Sequence, residues 1–160
     1  MLGVLMLCSK LIMELAPNIH LLGMFVMSFT LVYRKKALIP IYLFVLLLGV
    51  YYGFPYHWWG GHLYIWTILW GVTMLLPKKM PPLAAPVVYM AVCGLHGLLF
   101  GTLFAPYNSL VFGLSFDKTL AWIAYGLPYD ILHMVGNLAA GVLIVPMQKL
   151  LLRLETKYQK

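Results

Sequence analysis

The residues with chemistry to offer sit in GLPYDILHMVGN, residues 126–137, inside the last long apolar stretch of the chain. Asp130, His133 and Asn137 fall at i, i+3 and i+7, so a helix carries all three on one face. Glu14 and His96 stand in equally apolar surroundings. A charged group at mid-bilayer costs on the order of 3 kcal/mol on insertion scales, so such residues by default face a cavity or a partner. Asp130 has no basic residue near it in sequence, and His133, three residues on, is its expected partner. The two could also act as a base and its orienter, although no nucleophile accompanies them. The plainer alternative is that these side chains only fasten helices to one another. Asp130, His133 and His96 have metal-ligand chemistry, but their pattern assigns no metal site. There is no GxxxxGK phosphate loop, no HExxH and no GxSxG, so the chain is not read as an enzyme and no cofactor is assigned.

The elements that position these residues follow from composition. The chain has 160 residues, is 63% hydrophobic and is only 9% charged. A soluble domain is usually about 25% charged. Long apolar runs divided by Pro, Gly and charge clusters predict an all-α membrane protein, one domain over residues 1–160. The short alternating segments of a β-barrel are absent. Six membrane helices are expected, at about 1–16, 18–33, 37–54, 63–77, 83–105 and 119–148. Pro17-Asn18, Arg34-Lys35-Lys36, the Pro55–Gly61 stretch, the run from Pro77 to Pro82, and Pro106 to Ser109 mark the breaks. The first stretch has no basic leader or small-x-small cleavage site and reads as a retained helix. Cys8 and Cys93 lie in separate apolar runs and read as small core residues.

Charge orients the bundle. The formal net charge is +7, but the basic residues gather in short segments between apolar runs, which does not suit a nucleic-acid surface. With the N-terminus inside, Arg34, Lys35, Lys36, Lys78, Lys79, Lys149, Arg153, Lys157 and Lys160 all fall on the cytoplasmic side; Lys10 and Lys118 do not. That bias is the positive-inside pattern of an N-in, C-in six-helix bundle. The chain is placed in a prokaryotic plasma membrane.

Outside, the loop FPYHWWGGH (54–62) leads into LYIWTILW (63–70). Its Tyr51, Tyr52, Tyr56, Trp58, Trp59, Tyr64 and Trp66 gather at one depth. They suit either an interfacial aromatic belt or, with His57 and His62 beside the Trp pair, a wall over a planar ligand. In the last helix Trp122, Tyr125 and Tyr129 lie above Asp130, which is roughly 16 Å in from Thr119 at 1.5 Å per residue. Gly126 and Pro128 are expected to loosen that helix. Cys93, Gly97, Gly101 and Ala105 recur four apart and include a GxxxG, as Gly136 and Ala140 do, predicting close packing of helix backbones within the chain.

Three stretches give the chain a family resemblance. They are SKLIMELAPNIHLLGMFVMSFTLVYRKKAL, GVYYGFPYHWWGGHLYIWTILWG and GLPYDILHMVGNLAAGVLIVPMQKLLLRL. Together with the six-helix topology they make the whole chain resemble the substrate-binding S component of energy-coupling factor vitamin transporters. The resemblance implies capture of a vitamin or related micronutrient near the external face. It also implies docking on a T component, the membrane scaffold, which carries two cytoplasmic ABC ATPases. By position, the lid falls on Asn18 and His20 and the wall on Trp58, Trp59, Tyr64 and Trp66. Helix 5 contributes His96 or Phe100, and helix 6 contributes Tyr125, Tyr129, Asp130, His133 and Asn137. The AxxxA pair that docks many such subunits is missing from helix 1, where Gly3, Cys8 and Ser9 are the small residues left for that role. Aromatic walls with one acid suit a planar, hydrogen-bonding molecule, cationic or not. An intramembrane enzyme using Asp130 and His133, and a structural assembly factor, remain as alternatives.

Overall fold

Helix is the only regular structure among the described residues, which in the computed structural model are 1–16, 18–54 and 58–158, Tyr158 by its backbone alone. The Pro17 and Pro55 breaks, Tyr56 and His57 of the aromatic loop, and Lys160 of the basic tail lie outside them. In chain order the elements are α1 (Leu2–Ile12), a 3-10 turn (Met13–Leu15), α2 (Leu22–Tyr33), a second 3-10 turn (Arg34–Ala37), α3 (Leu38–Tyr52) and α4 (His62–Leu75). Then follow α5 (Ala84–Leu98), α6 (Phe100–Phe112), α7 (Phe116–Gly141) and α8 (Ile144–Tyr158).

The last two expected helices are each split. The fifth breaks at Leu99 and then runs straight through Pro106. Proline removes one backbone donor but leaves the rest of the turn helical. The stop comes instead at Gly113, whose left-handed φ of 60° lets its N–H return to the Ser109 carbonyl. The sixth begins at Phe116, with Asp117 in its first turn, and continues through Gly126 and Pro128 without a break. It ends at Gly141, and α8 leaves at an angle of 48°.

Ala84–Phe112, 29 residues of α5 and α6, is long and apolar enough to cross a membrane, and the bent pair α7–α8 passes the same test when taken together. Helices α1 to α4 have 11 to 15 residues each. That is roughly 17–23 Å of helix, short of a hydrocarbon core about 30 Å thick.

The core lies among α2, α3 and α4. Every residue of α2 from Leu22 to Thr30 is buried, as befits a helix apolar all round. Phe25 and Phe29 meet Ile41, Phe44 and Leu48 of α3 and Leu69 of α4 in that core. At one end, Arg34 donates from Nη2 to the Met74 carbonyl at 3.0 Å, and Trp70 donates its indole N–H to the Arg34 carbonyl at 3.1 Å. At the other end, Lys10 and Glu14 meet Tyr52, and since Gly3 meets Pro40 and Leu43, α1 and α3 run parallel. Gly3 is buried where α1 crosses α3. A Cβ on it would stand 2.8 Å from the Pro40 carbonyl oxygen, so Gly3 serves the bundle and is not free for a partner. Ser9 donates to the Met6 carbonyl, while Cys8 is exposed.

The small-residue stripe of α5 packs against α7 within the chain, as its spacing predicts. A Cβ on Gly97 would meet the His133 carbonyl oxygen at 2.8 Å, and one on Gly141 would meet the Met90 Cα at 3.0 Å. This close approach brings the polar face of α7 against the α5–α6 break.

Candidate functional site

Two adjoining chambers open at the end of the bundle away from Arg34. The first, of about 380 Å³, lies beneath Ala16, Asn18, Ile19 and His20, between α1 and α2. Its rim carries Lys10, Met13, Glu14 and Asn18, and its interior carries His20, His62 and His133. The second, of about 260 Å³, lies between α6 and α7, among Gly101, Asn108, Trp122, Tyr129 and Asp130. Asn18, Trp58, Phe100, Phe104 and His133 line both, so they form the partition between them. Asn18 holds its turn with φ 62°, a conformation asparagine tolerates better than most side chains.

Asp130 and His133 do not pair with each other, contrary to their spacing. Asp130 Oδ1 accepts a hydrogen bond from the backbone N–H of Gly101 at 2.9 Å. Gly101 lies just past the break at Leu99, near the start of α6, where backbone donors lack an intrahelical acceptor. No side chain could replace the glycine unnoticed, because a Cβ there would stand 2.5 Å from Asp130 Oδ2. His133 turns instead to the chain between α1 and α2, its Nε2 lying 2.8 Å from Nε2 of His20. One ring must donate and the other accept, so at most one of the two is an imidazolium. The His133 ring also stacks on Phe100 at a centroid distance of 4.6 Å.

Several polar atoms in the chambers are unpaired and reachable. Asp130 is 5% exposed, His133 5%, His62 8% and Asn108 8%. Buried polar groups without partners are rare because each one costs about 1–3 kcal/mol. Asp130 Oδ2, His133 Nδ1 and the Asn108 amide make no hydrogen bond among the described residues, and none is sealed from the chambers, whereas His62 is tied to the Trp58 backbone. The Nδ1 atom of His20, by contrast, is shut in without a partner. Lys10, on the rim, is 3.4 Å from Glu14 and also donates to the Tyr52 hydroxyl at 3.1 Å, so the rim cation is already matched.

Other expected site residues stand behind the chambers. Trp66 is 1% exposed and backs the aromatic wall, with its ring 5.7 Å from Phe100 and 5.9 Å from His62. His96 donates from Nε2 to the Ile65 carbonyl at 3.2 Å and leans on Trp66. Tyr64 is tied to the Leu103 carbonyl at 2.5 Å. Trp59 turns away, donating its indole N–H to the Val45 carbonyl at 2.7 Å and stacking edge-on with Phe54. Asn137 fastens helices, its Nδ2 donating to the Cys93 carbonyl at 3.1 Å. Tyr125, expected at the mouth, is 83% exposed on the outer face of α7 and lines neither chamber.

Sequence reasoning left Phe104, Asn108, Trp122 and Gly101 out of the site and used His62 only as a flank. Their spacing carried a signal. Phe100, Phe104 and Asn108 are four apart, and Trp122, Gly126, His133 and Asn137 fall within about 60° of one another on a helix. No group of three or more His, Cys, Asp or Glu among the described residues is arranged to hold a metal ion. The arrangement can bind a small molecule between aromatic faces and offer it one carboxylate oxygen, one imidazole nitrogen and an amide. No protein-family model, curated protein or solved structure matches the chain.

Proposed function

We propose that the chain is the substrate-binding membrane subunit of a micronutrient importer of the energy-coupling factor type. The observation that carries this reading is the pair of chambers under the α1–α2 connection, walled by aromatic rings and lined by buried, unpaired polar atoms. A pocket with apolar walls and a few convergent polar groups is the form small-molecule sites take. The charges support the same reading, since Arg34 and the basic residues of α8 lie at the end opposite the chambers.

In this reading α1, α2, α3, α4, α5–α6 and α7 are six spans of an N-in, C-in bundle, with α8 on the cytoplasmic side. The short spans are accommodated by local thinning of the bilayer. Energy comes from two ATPases held by a membrane scaffold, since this sequence has no phosphate loop. Gly3 is used by α3, so docking on the scaffold falls to the exposed face of α1 carrying Leu5, Cys8 and Ile12. A catalytic reading of Asp130 and His133 loses its geometry, because one is held by Gly101 and the other by His20.

The test is reconstitution in proteoliposomes. Ligand binding by the chain alone, with accumulation only when scaffold and ATPases are added, is the expected result. Accumulation by the chain alone would sink the proposal.

A further inference from the structure

The two chambers differ in chemistry. The first presents an imidazole nitrogen, His133 Nδ1, beside the rings of His20 and His62, with no unmatched charge among its described residues. The second presents a carboxylate oxygen, Asp130 Oδ2, facing the rings of Trp122, Tyr129 and Phe100, with no lysine or arginine in its lining. Asp130 is 5% exposed and has a single backbone N–H as its partner. A buried carboxylate needs a counter-charge or several donors, and this chain supplies neither to its second oxygen. Aromatic faces around the same space favour a cation, because the ring quadrupole adds to the attraction of the carboxylate.

We infer that the ligand is a small two-part molecule with a cationic nitrogen in the Asp130 chamber and an uncharged, hydrogen-bonding heteroaromatic ring in the histidine chamber. The inference rests on reading these chambers as the ligand site of the proposed importer subunit. Partition residues Phe100, Phe104 and His133 touch both compartments, so a short link between the two parts passes over them. The chamber sizes match a molecule of two single rings and exclude one as large as a corrinoid. His133 Nδ1 suits a ring nitrogen or a ring amino group, since a neutral imidazole reads either a donor or an acceptor. Asn108 adds a donor and an acceptor at the far wall of the cation chamber.

A matched pair of probes tests this. One is an aminopyrimidine joined by a methylene to a pyridinium; the other carries phenyl in place of pyridinium, with the same shape and no charge. Binding is followed by quenching of tryptophan fluorescence in purified, ligand-free protein in nanodiscs. The pyridinium compound should bind the native protein at least tenfold more tightly than the phenyl compound, a comparison that needs no variant. Asp130→Asn should reduce the preference for the pyridinium compound to near parity. Equal binding of the two probes, a preference for the phenyl compound, a preference that survives Asp130→Asn, or no binding of either probe would each overturn the inference. Co-purification with the scaffold and its ATPases is measured separately. Failure there removes the importer subunit and leaves the ligand class standing.

Discussion

Replacing Gly101 with alanine sets two effects of known size against each other. Gly101 is the second residue of α6, and alanine in a helix is favoured over glycine by up to about 1 kcal/mol. If Gly101 were an ordinary helical glycine, Gly101→Ala would therefore stabilise the protein. The new Cβ, however, would stand 2.5 Å from Asp130 Oδ2, 3.0 Å from Oδ1 and 3.1 Å from Cγ. The carboxylate must move, and the 2.9 Å bond from the Gly101 N–H goes with it. A hydrogen bond to a charged group is worth about 1.5–3 kcal/mol. The balance is a net loss of about 1 kcal/mol, which in a chain of this length lowers Tm by roughly 2–4 °C. Thermal unfolding of the detergent-solubilised protein reads it. The mechanism is isolated by repeating Gly101→Ala in an Asp130→Ala background, where the carboxylate is absent and the substitution should become neutral or stabilising. A Gly101→Ala protein as stable as the parent or more so, or the same loss in both backgrounds, would refute the reasoning.

Four further outcomes follow from the packing. Trp58→Ala weakens ligand binding at least tenfold in the folded fraction, because Trp58 is part of the partition between the chambers. Trp59→Ala does the reverse, since its half-buried ring and its bond to Val45 serve the fold; roughly 2 kcal/mol is lost, with affinity retained in the folded fraction. Gly97→Ala is destabilising by about 1–3 kcal/mol, because its Cβ would press on the His133 backbone, which cannot rotate away, whereas Gly71→Ala in open space gains up to about 1 kcal/mol; chemical denaturation compares the two. His20→Ala removes the contact of the lid with His133, worth about 1 kcal/mol, and speeds probe dissociation about fivefold in a fluorescence chase. A change confined to the association rate would argue against His20 as a latch.

Helix and helix face were legible in the sequence to different depths. Apolar runs bounded by Gly and basic clusters announced the helices, and four-residue glycine spacing announced the α5–α7 contact. The stops were harder to read, because Pro106 looks like a terminator while the helix in fact ends where Gly113 can take a positive φ. Tyr125 was expected at the mouth from its depth alone. It lies five residues before Asp130, about 140° round the helix, and the angle rather than the depth decides that it faces outward. Trp122 shares the depth argument and also has the right angle, and it lines the chamber.

Pairing was the part that no local pattern could supply. Asp130 and His133 are adjacent on one helix face, and spacing alone makes them partners. What separates them is that α7 meets a different element at each position. At Asp130 it faces the chain just past the break at Leu99, where a free N–H comes within reach because Gly101 has no side chain. One helical turn on, it faces the chain between α1 and α2, where His20 arrives from 113 residues away in sequence. The carboxylate is thus held by one oxygen and open at the other, and the imidazole is held at Nε2 and open at Nδ1. Each group is fixed by the bundle through one atom and left available through the second. A pair bonded to each other would have satisfied both groups, so the absence of the expected pair is what leaves this helix face with an open carboxylate oxygen and an open ring nitrogen.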